Sequence, residues 1–137
     1  AHGLTVKADK SISVPDADCD LIVLPGGGKG TQNLAASEKV ASAVRAVYAN
    51  GGFVAAICAA PTVLASLGLL DGVEAICFPG MEEQLGKAVI SKHKVVRSGR
   101  IITAAAMGVS LEFGLTLIAA LFGSDVAEAV AKQTVIR

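Results

Sequence analysis

Short apolar runs alternate with helix-periodic segments along the chain. Leu21-Ile22-Val23-Leu24 is apolar without alternation and stops at Pro25. That pattern belongs to a strand buried on both faces of a parallel sheet. Phe53–Ile57 repeats it. Between the two, Ser37 is placed as an N-cap with Glu38 in the first turn, and Val40, Val44, Val47 and Tyr48 share one helical face until Asn50-Gly51-Gly52 ends it. Pro61–Leu67 predicts a helix that stops at Gly68, Glu74–Cys77 a strand, and Met81–Leu85 one short helix after the break at Phe78-Pro79-Gly80. Val95–Arg97 and Ile101–Thr103 flank Ser98-Gly99 as a hairpin. Leu111, Leu115, Ile118 and Phe122 form the stripe of a long helix closed by Gly123. Ser124 caps a last helix carrying Val126, Ala129 and Val130. Leu4–Ala8 alternates weakly as an edge strand, and Pro25–Thr31 and Ala104–Gly108 are expected to be loops.

Strands and helices in alternation predict a doubly wound α/β fold, in which ligands bind beyond the carboxyl ends of the strands. The loop at Pro25–Thr31 and the turn at Cys58 both lie there. Cys58 ends an apolar strand, and Pro61 suits the first turn of a following helix. Unpaired backbone N–H groups and a helix dipole at such a turn favour thiolate, the reactive form. The competing reading is a core cysteine, a residue type often found buried.

Composition narrows the choices. Apolar residues make up 53% of the 137, and 12 basic residues balance 12 acidic ones. Mean hydropathy is +0.60. A core-rich chain with no net charge has nothing to steer it to nucleic acid or an anionic membrane. The basic residues at Lys92–Arg97 and Arg100 are expected on a solvated hairpin. No apolar run reaches the roughly 20 residues of a membrane span. Cys19, Cys58 and Cys77 are odd in number and match no metal spacing, which favours a reduced, intracellular setting. The absence of an initial methionine points to a processed or truncated end.

The remaining motifs are weaker. Gly26-Gly27-Gly28-Lys29-Gly30-Thr31 lacks both the Walker spacing and the dinucleotide pattern, so its glycine amides suit an oxyanion better than a nucleotide. His93 sits among lysines and His2 is nearly terminal; neither neighbours Cys58 in sequence. Glu82 and Glu83 are read as solvated, and Cys19 and Cys77 as packing residues or minor oxidation sites.

In combination these residues resemble the ThiJ/PfpI superfamily. The likeness rests on Asp20–Gly27, on Gln32-Asn33-Leu34 and on Ala55-Ala56-Ile57-Cys58-Ala59-Ala60-Pro61-Thr62. The branch most resembled is the Parkinson disease protein 7 family, whose penultimate long helix Leu111-Glu112-Phe113-Gly114-Leu115 fits. The resemblance covers essentially the whole chain. It implies one ThiJ/PfpI-type domain over 1–137: a flavodoxin-like, mostly parallel sheet sandwiched by helices, here without its N-terminal strand and helix. It implies a homodimer, no cofactor and no metal. Cys58 would be the oxidation-prone nucleophile, with the Gly27 and Ala59 amides as its oxyanion site and Gly26, Phe78, Ala105 and His2 around the pocket. The implied activities are glyoxalase without glutathione and deglycation of methylglyoxal adducts, on a small carbonyl substrate or a glycated protein in the cytoplasm. Redox sensing with chaperone behaviour is the alternative.

The chain departs from the family in several places. The segment that carries the glutamate bonded to the nucleophilic thiol precedes residue 1, so an associated, cleaved N-terminal peptide is expected. His2-Gly3 stands where Arg-Gly is frequent. Phe78 stands where some members have histidine and others phenylalanine. Ala105 replaces a pocket arginine, which removes a bidentate donor. Ala59 stands where the intracellular-protease branch has histidine.

Overall fold

A computed structural model of the chain describes residues 3–12 and 18–136. Its framework is a four-stranded sheet in the order β1 (Leu21–Leu24), β2 (Phe53–Ile57), β6 (Ile101–Ala104), β5 (Val95–Ser98). β1, β2 and β6 run parallel, and β5 closes the edge antiparallel to β6. A small parallel pair, β3 (Glu74–Ala75) with β4 (Val89–Ile90), forms a second sheet that packs against β5 and β6.

The unbroken apolarity of β2 follows from burial on both faces. Successive side chains of a strand point to opposite sides. Val54 and Ala56 join Leu24 and Ile101 in one core, against Val40, Val44 and Val47 of α2 (Glu38–Ala49) and Val63 and Leu64 of α3 (Pro61–Ser66). Ala55 faces the other way, with Ile102, Ala104 and Phe113 of α4 (Ser110–Phe122). Helices therefore cover both sides of a mostly parallel sheet. α5 (Ser124–Gln133) packs on α4.

The helix starts and stops of α2 follow the sequence. Ser37 Oγ accepts from the Val40 N–H at 3.4 Å, and Gly51 after the helix has φ 91°. The hairpin also forms as read: Ser98 pairs with Ile101, and Gly99 turns the chain at φ 61°.

Other elements differ. Residues 4–8 form no strand, and Leu4 and Val6 are exposed. The glycine loop is short, because helix α1 (Gly28–Ala35) begins at Gly28. Glycine is tolerated in a first turn, where the N–H groups have no helical partner in any case, and packing on α2 and α3 fixes the rest. β3 stops at Ala75 since the Ile76 N–H donates to a side chain, Thr103 Oγ1, at 3.0 Å. The turn near Met81 is a 3-10 helix over Glu82–Leu85. Ser124 is the first residue of α5 rather than its cap, and Ala127, not Val126 or Ala129, is the buried position there.

The long helix turns a different stripe inward. Phe113 is buried, with Leu117 and Ala120 packed beside it, whereas Leu111 and Phe122 are 63% and 67% exposed. Both stripes recur at helical spacing, so periodicity does not choose between them.

Arg100 is not solvated. Its Nη1 donates to Tyr48 O at 2.6 Å and Gly52 O at 3.1 Å, and the guanidinium lies 4.3 Å from the Tyr48 ring centroid. It ties the end of α2 to the start of β2. Arg100→Ala is expected to lower stability by about 1.5–3 kcal/mol, the range for hydrogen bonds to a charged group. A urea midpoint unchanged from the parent would contradict that role.

Candidate functional site

Cys58 sits in the turn between β2 and α3 with φ 65°. The left-handed region is costly for a side chain with a Cβ and persists where the surroundings enforce it. Here two backbone bonds do so. The Cys58 N–H donates to Ala104 O at 2.9 Å, and Cys58 O accepts from the Phe78 N–H at 2.7 Å.

The parallel register Leu24↔Ala56 sets the carboxyl ends of β1 and β2 side by side. Gly26 consequently lies directly against the cysteine. A Cβ at position 26 would fall 2.5 Å from Cys58 Cβ, 2.8 Å from Ile57 O and 3.3 Å from Sγ. Gly27 then takes φ 95°, which glycine adopts freely, and leads into α1. The N–H groups of Gly27 and Ala59 have no hydrogen-bond partner among the described residues.

A cavity of about 590 Å³ opens beside the thiol. It is bordered by Cys58, Ala59 and Thr62 on one side, by Thr31, Gln32 and Ala35 of α1 on another, and by Phe78, Met81 and Gln84. Phe78 and Cys58 thus border the same cavity. Ala105 does not: it lines a separate cavity of about 390 Å³ with Cys77, His93 and Lys94. His2 lies outside the described residues. A third cavity, about 300 Å³, is at the amino ends of β1 and β2 around Cys19 and Phe53, remote from the thiol. Among the described residues no three His, Cys, Asp or Glu side chains gather as a metal site. Among the described residues no helix is long and apolar enough to cross a membrane.

Thr31, Thr62, Met81 and Gln84 were not legible as site residues. Thr31 fell in a segment read as loop, and only a helix starting at Gly28 turns it inward.

The three thiols are in unlike places. Cys19 and Cys58 are half-buried, and Cys77 is fully buried in the core formed by α2 and α3. Burial pushes the Cys77 thiol up from 9.0 to about 11, and the charges of Glu82 and Cys58 add to the effect. Between those two values the unfolded chain releases a proton that the folded chain keeps. Stability therefore falls as pH rises from about 9 toward 11, by at most about 1.4 kcal/mol per pH unit from this group. Urea midpoints at pH 8 and pH 10 should show that loss in the parent and a smaller one in Cys77→Ala. Equal slopes would remove Cys77 as its source.

Residues 1–120 match the family model described as the DJ-1/PfpI family. The chain belongs to the DJ-1/PfpI family. It is 39% identical over 136 residues to Protein DJ-1alpha of Drosophila melanogaster, covering 96% of this chain and 63% of that protein. It is 34% identical over 85 residues to a protein from Pyrococcus horikoshii named a deglycase, covering 61% of this chain and 51% of that one. Among solved structures, oxidized DJ-1 of Toxoplasma gondii superposes with a TM-score of 0.90 at 33% identity, over 98% of this chain and 74% of that one. The chain thus spans less than two thirds of the DJ-1alpha it matches. As in its DJ-1 neighbours, the architecture is a mostly parallel sheet flanked by helices.

Proposed function

We propose that the protein is a cysteine-dependent glyoxalase or deglycase acting on methylglyoxal or its adducts, with Cys58 as the nucleophile. The observation that carries this reading is the strained Cys58 held at φ 65° against Gly26, at the mouth of the larger cavity. Strain of this kind concentrates at functional sites. The family membership and the deglycase name of the Pyrococcus relative support it.

In this reading the Cys58 thiolate adds to the aldehyde carbon. An S–C bond forms, the C=O π pair moves to oxygen, and the Gly27 and Ala59 amides receive that charge. Such donors are worth about 3–4 kcal/mol each. The oxygen takes a proton to give a hemithioacetal. The proton on the first carbon then moves to the second carbon and the hydroxyl proton moves to the second carbon's oxygen, giving a lactoyl thioester. Water adds to its carbonyl and breaks the C–S bond, releasing lactate and returning the thiol. The cavity's described lining carries no carboxylate. The proton transfers are assigned to a base outside this lining. The proposal includes a homodimer, a cytoplasmic setting and no cofactor.

Lactate production from methylglyoxal without glutathione tests the reading. A rate no greater than that of free cysteine at the same concentration rejects it.

The oxidized state named for the Toxoplasma relative favours a second reading, a redox sensor or chaperone with negligible turnover. Peroxide would transfer one oxygen to the Cys58 thiolate, giving a sulfenic acid and releasing hydroxide. Peptide mass spectrometry after mild peroxide separates the readings from their failure: oxidation at Cys19 or Cys77 with Cys58 untouched counts against a sensing thiol at 58.

A further inference from the structure

The third cavity, at the opposite end of the sheet from Cys58, is built for a different kind of ligand. It encloses about 300 Å³, room for about ten waters at roughly 30 Å³ each. Its walls come from Cys19 and Asp20 ahead of β1, from Asn50-Gly51-Gly52 between α2 and β2, from Phe53, and from the last turn of α4 ending at Phe122. In its described lining Asp20 is the one charged side chain, and no lysine, arginine or histidine stands there.

Two helices end at this cavity. α2 stops at Ala49 and α4 at Phe122, and neither carries a basic residue in its last turn. The carboxyl end of a helix holds a partial negative charge that favours a cation. Asn50 O and Gly51 O accept no hydrogen bond among the described residues, so both are open to a donor. Phe53 and Phe122 add aromatic rings, whose faces attract cations. Phe53 already does so on its β5 side, where the Arg97 guanidinium lies 5.2 Å from the ring centroid. The two nearby arginines are held elsewhere: Arg97 Nε donates to Gly99 O at 3.3 Å, and Arg100 Nη1 to Tyr48 O and Gly52 O. The cavity is thus left with a carboxylate, two helix carboxyl ends, free carbonyls and aromatic rings, and with no cation of its own.

The geometry points to a second binding site, which takes a small primary amine as its ammonium ion. An ammonium group has three N–H donors and no acceptor. These go to the Asp20 carboxylate and to the carbonyls of Asn50 and Gly51, while the apolar body of the amine lies against Phe53 and Phe122. A carboxylate ligand would meet the charge of Asp20 and the negative ends of both helices. The site is separate from the thiol and does not depend on the reading of Cys58 as a nucleophile.

Benzylamine, benzyl alcohol and benzoate have nearly the same size and differ in charge. Each is titrated into the isotope-labelled full chain near neutral pH, and the Gly51 and Gly52 amide resonances are followed. Benzylamine is expected to shift both amides saturably with a Kd of about 0.1–1 mM. Benzyl alcohol should bind at least about tenfold more weakly, since it offers no charge-assisted bond, and benzoate should shift neither amide. Asp20→Asn, at an exposed position, should weaken benzylamine about threefold to tenfold. Phe122→Leu keeps an apolar side chain and should weaken benzylamine about twofold to fivefold without changing benzyl alcohol. Saturating benzylamine should leave the rate of Cys58 alkylation by iodoacetamide unchanged, as should Asp20→Asn. Equal binding of the amine and the alcohol, a benzoate affinity matching that of the amine, or Asp20→Asn binding like the parent overturns the ammonium assignment. Still amides at Gly51 and Gly52, or benzylamine that protects Cys58, overturns the location.

Discussion

On the proposed function, replacing Cys58 with serine is expected to lower lactate formation from methylglyoxal by at least about a thousandfold, the scale on which nucleophile removal acts. A hydroxyl is scarcely ionised near neutral pH and is a much weaker nucleophile than a thiolate. The other two thiols are badly placed to compensate. Cys77 is fully buried with its thiol raised to about 11, and Cys19 lies at the opposite end of the sheet. The substitution should leave the fold intact, since serine differs by one atom at a half-buried turn. Folded Cys58→Ser with undiminished turnover would reject nucleophilic catalysis at this position.

Gly26→Ala is expected to remove most reactivity at Cys58 and about 1–3 kcal/mol of stability, the usual range for overpacking. The new methyl would sit 2.5 Å from Cys58 Cβ and 2.8 Å from Ile57 O, so the strand end or the turn must move. A displacement of this kind would move the thiol relative to the strand end at Gly26. Four residues on, Gly30→Ala has the opposite sign. Nothing lies within 4 Å of a Cβ there, and the position is helical, so alanine should add about 0.5–1 kcal/mol. Thermal melts and Cys58 alkylation rates measure both variants together. Parent-like alkylation in a folded Gly26→Ala protein would show that the contact does not set the geometry of the thiol.

Much of the fold was legible because its central strand is buried on both faces. Phe53–Ile57 carries that burial in an unbroken apolar run. Leu21–Leu24 carries the same run but forms the sheet edge with Val23 40% exposed, so its burial on both faces does not hold. The ends of α2 are written in Ser37, Glu38 and Asn50-Gly51. Position 58 also stood out, as the residue between such a strand and a proline. What stayed hidden depends on contacts distant in sequence. Gly28 starts a helix only because α2 and α3 receive it. Thr103 halts β3 from another strand. Arg100 reads as a surface charge until the carbonyls of Tyr48 and Gly52 are seen to converge on it. The α4 stripe was misassigned because nearly every position of Leu111–Phe122 is apolar, so the choice of face lies with the sheet. In the site, the local chain marks the thiol but not its cavity, which Thr31, Thr62, Phe78 and Met81 assemble from separate elements.

The pairing pattern also has a consequence in time. Ser98 and Ile101 are near neighbours in the chain and close a hairpin of the kind that forms in about 1–10 μs. Leu21 with Phe53, and Val54 with Ile101, join distant segments in parallel, and such contacts come slowly because their loops must close first. The Ala104 carbonyl that holds Cys58 and the Gly26 that presses on it both arrive through those late pairings. Until they are made, residue 58 is an ordinary cysteine on a mobile chain. Any reactivity that the folded turn confers on Cys58 is therefore expected to appear during refolding only as those two parallel pairings close.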